Sequence, residues 1–257
     1  MGAVRIAAVG DVHAGADRES TARLDAGLDR LADQADVLLL AGDLTRCGTP
    51  EEVRVVADAV ARAGVPTAAV LGNHDHHAGR PGEVVDVLES AGVAVLEGTA
   101  ATFEVAGRRV GVAGTKGFGG GFTGACVSEF GEAETKAFAR HTTQVADRLR
   151  AAMAVCDGAD VRIVLLHYSP VRDTLRGESP ELYPFLGSYL LAEAIDDAGA
   201  DLVVHGHAHN GSERGMTPGG VRVRNVAQPV IRSAYRVFEL RPDERPAARA
   251  ATVAGSG

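Results

Sequence analysis

This 257-residue sequence predicts an α/β fold built on a parallel sheet, and three observations carry the prediction. Strand, loop and helix alternate three times through the first half. The candidate strands 4–9 and 37–41 are near-continuous apolar runs, as expected where both faces of a strand are covered. Five candidate strands also run straight into clusters of His, Asp and Asn. Such clusters lie in the crevice beyond a sheet's carboxyl edge, where open α/β sheets bind their ligands. The alternation implies parallel strands joined by right-handed crossovers.

The first strand, 4–9, is apolar apart from Arg5. A helix over 20–34 is expected next, with Leu24, Leu28 and Leu31 at helical spacing. The strand 37–41 is followed by Thr49-Pro50-Glu51-Glu52, a capping box with proline at the first helical position, and Gly64 supplies the stop. A third strand over 65–71 and a helix over 82–91, closed by Gly92, complete the repeats. The middle changes character, because 93–96, 102–106 and 108–113, with a tight turn at Gly107, read as short antiparallel pairing. Residues 114–124 hold six glycines around Phe118 and Phe122 and contain neither GxGxxG nor GxxxxGK[ST]. A helix over 131–155, a strand 161–166 ending at His167, a helix over 188–198, a strand 201–204 and late strands 221–226 and 233–240 finish the chain. The segment 169–187 is longer than a usual connection and is a candidate wall of the site. One domain over 1–240 is expected, with a disordered tail over 241–257, which is rich in Pro, Ala, Arg and Gly without apolar periodicity.

Composition narrows the function. Apolar residues make up 46% and charged residues 23%, and the net charge is −8, so bulk electrostatics recruits neither nucleic acid nor an anionic membrane. Cys47, Cys126 and Cys156 show no CxxC spacing, so neither a disulfide framework nor a thiolate zinc site is indicated, and a reduced, cytoplasmic setting is expected. No uncharged stretch reaches the ~20 residues of a spanning helix, and Asp11 interrupts the first apolar run before it could act as a signal peptide.

The chemistry lies at the strand ends: Gly10-Asp11-Val12-His13, Gly42-Asp43, Gly72-Asn73-His74-Asp75, His167, and His205-Gly206-His207-Ala208-His209. Asp11, His13, Asp43, Asn73, His167, His207 and His209 offer two carboxylates, one amide oxygen and four imidazoles. Such a donor set suits borderline divalent ions, namely Mn, Fe, Co, Ni or Zn. Seven ligands exceed the need of one tetrahedral ion, whereas two ions sharing a carboxylate would use them all. A metal pair about 3.5–4 Å apart clamps in-line phosphoryl displacement.

In its order, the set Asp-x-His, Gly-Asp, Gly-Asn-His-Asp, His and Gly-His-x-His resembles the calcineurin-like metallophosphoesterase superfamily over residues 4–209. The resemblance implies a four-layer α-β-β-α sandwich of two mixed sheets. It also implies that Asp11, His13, Asp43 and His209 hold one ion and Asp43, Asn73, His167 and His207 the other, with Asp43 bridging. Two such ions would lower the pKa of a shared water, so that hydroxide attacks phosphorus in line. The formal charge of the site would then be +1, which attracts phosphate to an acidic protein. His74 is placed to protonate or stabilise the leaving alkoxide, with Asp75 as its orienting partner.

Other residues keep two readings. His205 is a neighbour of the ligands or simply a strand-end residue; His76 and His77 are solvated or outer groups, and His141 is a surface residue on its helix. Lys116, Phe118 and Phe122 either line the substrate or belong to a structural turn. Tyr168, Arg172 and Arg176 either contact substrate or serve the surface. Protein phosphatases of this fold resemble GDxVDRG and RGNHE, but Cys47 and Leu71 stand here at the arginine positions. GDLT and GNHD are similar to cyclic nucleotide phosphodiesterases and related small-substrate enzymes, although Leu166-His167-Tyr168-Ser169-Pro170 departs from their His-Pro-Pro-like stretch. DNA repair exonucleases carry further domains and a basic surface that this chain does not signal. The expected substrate is a small soluble phosphoester, a diester ahead of a nucleotide or sugar monoester. A non-catalytic scaffold would lack ligands or the His74 equivalent, and all of these are present.

Overall fold

Two mixed sheets face each other across the core of the computed structural model, which describes residues 2–15, 22 and 26–241. In the first sheet, β1 (Val4–Val9), β2 (Val37–Ala41), β3 (Thr67–Val70) and β4 (Ala94–Val95) run parallel, and β13 (Arg236–Leu240) closes the edge antiparallel to β1. In the second sheet, β12 (Arg222–Asn225), β10 (Leu202–His205), β9 (Val161–Leu166) and β6 (Arg108–Thr115) are parallel. Its edges, β11 (Arg214–Met216) and β5 (Thr99–Val105), are antiparallel.

The side-chain alternation of each strand explains the layering. Ile163 and Leu165 of β9 join Val110, Val112, Leu202 and Val204 in the core shared with the first sheet. Val164, Leu166 and Val203 point the other way, onto Leu149 of α4 (Ala133–Val155) and Leu191 and Ile195 of α5 (Tyr189–Ala198). The central strands β1, β2 and β3 of the first sheet are buried on both faces apart from Arg5, and fully burying each of Leu38, Leu39 and Leu40 contributes about 1.5–3 kcal/mol. Val53, Val56 and Val60 of α2 (Pro50–Ala63) and Val84 and Leu88 of α3 (Pro81–Ser90) pack into the same core. Helices, two sheets and helices make four layers.

The capping box of α2 is present: Thr49 accepts from the Glu52 amide, and Glu52 accepts from the Thr49 amide and also from the Cys47 amide at 2.8 Å. Gly64 ends the helix at φ 66°. The cap therefore also pins the loop carrying Arg46 and Cys47 beside the strand ends. Of the helix expected over 20–34, residues 20, 21 and 23–25, including Leu24, lie outside the described residues; 26–28 are helical, a turn follows at 29–30, and α1 (Leu31–Gln34) ends it, with Leu28 and Leu31 buried. The tail 242–257 also lies outside them.

One expectation needs correction. Strand β4, expected to pair antiparallel with its successors, instead extends the first sheet parallel to β3, because a crossover through α3 returns the chain in the same direction. Only β5 and β6 form the expected hairpin, turning at Ala106 and Gly107. Edge strand β11 and the small hairpin of β7 (Gly121–Phe122) and β8 (Ala125–Cys126) give no apolar run that a sequence reading could detect. Among the described residues no helix is long and apolar enough to cross a membrane.

Candidate metal centre

The carboxyl ends of β1, β2, β3, β9 and β10 converge on one cleft. Ligand-type atoms of Asp11, His13, Asp43 and His209 lie within 4.8 Å of one another, and so do those of Asp43, His167 and His207. Asp43 belongs to both groups. Asn73 completes the second, its Oδ1 standing 3.0 Å from His167 Nε2. All seven residues named from the strand ends therefore meet.

Backbone conformation carries the convergence. Asp11, His13, Asp43 and His207 have φ of 58°, 49°, 49° and 69°, a left-handed region that side-chain-bearing residues seldom adopt. Strain of this kind gathers at functional sites, where the surrounding structure holds it in place. The glycines of the motifs have a related cause. A Cβ on Gly72 would lie 2.0 Å from Asp43 Oδ1, and one on Gly206 would lie 2.3 Å from Asp11 Oδ2. Each glycine leaves room for a carboxylate from a neighbouring loop.

Donors and acceptors are arranged for a cation. Burial pushes His167 down to about 3, so its ring is neutral. Its Nδ1–H donates to the Ala41 carbonyl oxygen at 2.9 Å. Nε2 is left as a bare lone pair that faces Asn73 Oδ1 and, at 3.4 Å, Asp43 Oδ1. Three acceptors face one another without a proton to share, which a divalent ion would complete. Burial likewise lowers His207 to about 3 and lowers His13, the neutral forms that metal binding requires. Asp11 is raised to about 6, chiefly by burial, despite its 2.9 Å contact with His209 Nε2 and the His207 amide on both oxygens. The same contact raises His209. Buried carboxylates and neutral imidazoles with bare nitrogens fit two divalent cations.

Residues around this set sort into three kinds. The His74 amide donates to Asp43 Oδ1 at 2.8 Å, its Nδ1 donates to the Arg46 carbonyl oxygen at 2.7 Å, and its Nε2 lies 4.0 Å from Asp43 Oδ2 at the exposed mouth. Asp75, expected to orient that ring, does not touch it. Its buried carboxylate accepts from the amides of Leu44, Thr45 and Gly72 and from Thr45 Oγ1, so it ties the β2 loop to the β3 loop. Burial raises it to about 6. A short turn brings Asp75 back over Gly72, a long-range outcome that adjacency to His74 could not reveal.

His205 uses both ring nitrogens, Nδ1 toward the Gly206 carbonyl oxygen at 2.7 Å and Nε2 toward Thr174 Oγ1 at 2.8 Å. It is buried, held near 4, and has no nitrogen left for a metal. His76, His77 and His141 are exposed, and His141 sets its edge against Phe118 at 4.6 Å. The segment 169–187 does form a wall, with the Phe185 carbonyl oxygen 3.3 Å from His207 Nε2. Within it, Arg176 pairs with Asp173 at the surface, and Arg172 lies over the buried Phe122 ring at 5.8 Å. Tyr168 packs on His207 with ring centroids 4.3 Å apart, and burial raises its phenol to about 12.

Comparison with known proteins agrees with this geometry. The family model described as calcineurin-like phosphoesterase matches residues 4–211. No curated protein matches the chain in sequence. Among solved structures, it is similar to the phosphopantetheinyl hydrolase PptH from Mycobacterium tuberculosis, at 18% identity and a TM-score of 0.67, covering 95% of this chain and 99% of that one. It is similar to TT1561 of Thermus thermophilus, at 19% identity and a TM-score of 0.58, covering 93% and 100%. It is also similar to GAP50, the anchor in the inner membrane complex of Plasmodium, at 15% identity and a TM-score of 0.54, covering 89% and 73%. These likenesses are of fold.

Proposed function

Since this chain belongs to the calcineurin-like phosphoesterase family, we propose that it is a two-metal hydrolase of a small soluble phosphoester, a diester ahead of a monoester. Its setting is a reducing cytoplasm, consistent with three unpaired cysteines. The observation that carries this reading is the membership of Asp43 in both ligand groups. Asp11, His13, Asp43 and His209 would hold one ion, and Asp43, Asn73, His167 and His207 the other. Two divalent ions so held supply a water of lowered pKa and draw charge from the phosphoryl oxygens.

The chain's own residues do the rest. His74 Nδ1–H is fixed on the Arg46 carbonyl oxygen, so Nε2 at the mouth is the atom that delivers a proton to the departing oxygen. The Asp43 carboxylate lies 4.0 Å from that nitrogen. Cys47 and Leu71 occupy positions where related phosphatases carry arginines, so a singly charged phosphodiester group is the better match.

The test is hydrolysis of bis-p-nitrophenyl phosphate beside p-nitrophenyl phosphate by metal-stripped protein reloaded with Mn, with metal content read by elemental analysis. Two ions per chain and faster turnover of the diester are expected. Faster turnover of the monoester would make the protein a phosphomonoesterase. Two bound ions without turnover of either ester, or no bound metal, would overturn the hydrolase reading.

A further inference from the structure

One positive charge beside the cleft has no part in the hydrolysis described above. Lys116 follows β6, and its carbonyl oxygen accepts from the amides of His167 at 3.0 Å and Tyr168 at 2.9 Å, which locks it to the end of β9. Its Nζ lies 5.4 Å from the Phe118 ring centroid and 5.6 Å from that of Tyr168. The Tyr168 ring also lies against His207, so the ammonium and a candidate metal ligand share this ring as a neighbour. Glu97, the acid closest along the hairpin, spends its oxygens on Thr115 Oγ1, the Lys116 amide and Arg148. Among the described residues no carboxylate forms an ion pair with the Lys116 ammonium. Burial lowers Lys116, against which Glu97 and then Asp43 favour its ammonium, and its charge adds to the burial that disfavours protonation of His76 and His167.

We propose that Lys116, with the ring faces of Tyr168 and Phe118, forms a subsite for a second anionic group of the substrate, a carboxylate or phosphate carried beyond the phosphorus under attack. The proposal rests on the phosphoesterase reading for the placement of that phosphorus. The reacting phosphoryl oxygens would be taken by the two ions, and the ammonium approaches the cleft by way of the Tyr168 ring, 5.6 Å from Nζ and 4.3 Å from the His207 ring. It is at the reach of a group a few bonds further along. Partial burial on two ring faces raises the strength of a charge-assisted contact, because little water remains to compete. The substrate class that follows is a small phosphoester bearing an additional acid.

Calorimetric binding to the Mn-loaded protein tests this without turnover, using phosphoglycolate, which carries a carboxylate, beside ethyl phosphate, which does not. Wild type is expected to hold phosphoglycolate about tenfold tighter than ethyl phosphate. Lys116→Met should abolish that preference and change ethyl phosphate affinity by less than about threefold, while Lys116→Arg retains it. Lys116→Gln, which keeps a polar head, serves as a second neutralising variant. Mn content is measured in every sample. Equal affinity of wild type for the two ligands, an undiminished preference in Lys116→Met and Lys116→Gln, or a parallel loss of both ligands at full Mn content would overturn the subsite. A preference that depends on Lys116 in a protein that hydrolyses no ester would refute the hydrolase reading while sustaining the subsite.

Discussion

The two edges of the parallel strands use aspartate in opposite ways. At the amino edge, Asp36, Asp160 and Asp201 each precede a strand and accept from the amide of an arginine early in the neighbouring strand: Arg5 at 2.8 Å, Arg109 at 2.8 Å and Arg162 at 2.7 Å. Each returns the bond, its own amide donating to that arginine's carbonyl oxygen at 2.8 Å. These are closed clamps with guanidinium groups nearby, as in Arg5 to Asp36 at 2.8 Å. At the carboxyl edge, Asp11 and Asp43 are buried, have φ of 58° and 49°, and face imidazoles and each other rather than arginine. One edge satisfies its charges internally, and the other leaves them for a ligand. The proposed function sits at the edge where the fold is less self-sufficient.

The largest effect that would break this contrast is at the shared carboxylate. Asp43→Ala should remove both ions and reduce turnover by more than about 10³-fold, read by elemental analysis and ester hydrolysis together. His74→Ala should keep both ions and lose roughly 10²–10³-fold with poor leaving groups, because it removes a proton donor and no ligand. Full activity in Asp43→Ala, or metal loss in His74→Ala, would erase the division between holding and reacting residues.

Why so much of the carboxyl edge is legible in the sequence follows from the same contrast. A glycine followed by Asp, Asn or His after an apolar run is a local pattern, and its cause is local: the strand ends, the backbone turns left-handed, and the next loop needs space. Gly72 shows the limit of that reading. Its motif is visible, yet the reason for glycine is the Asp43 carboxylate 29 residues earlier in the chain. The role of Asp75, the parallel course of β4 and the ring faces beside the Lys116 ammonium were not legible for the same reason. Each is settled by a partner brought from another strand. Gly72→Ala should consequently displace Asp43 and weaken metal binding by about 10–100-fold while the fold persists, as judged by metal titration and circular dichroism. Unchanged affinity would mean that the loop can yield, and that the glycine serves the turn alone.

The smallest effect belongs to the amino edge. Asp36→Asn removes a carboxylate that accepts from both the Arg5 amide and its guanidinium, but an amide oxygen can still accept one of those bonds. Arg5 and Asp36 are partly open to solvent, with side-chain exposures of 35% and 18%, so water replaces much of what is lost. The thermal midpoint should fall by about 2–4 °C or less, with metal content and turnover unchanged. The sign matters more than the size. A loss of stability with activity intact here, set against a loss of activity with the fold intact at Asp43, would show that the same residue type does structural work at one end of the strands and chemical work at the other. A fall in turnover for Asp36→Asn would instead mean that strain at the carboxyl edge is held by the clamps at the amino edge, through the rigid strands that join them.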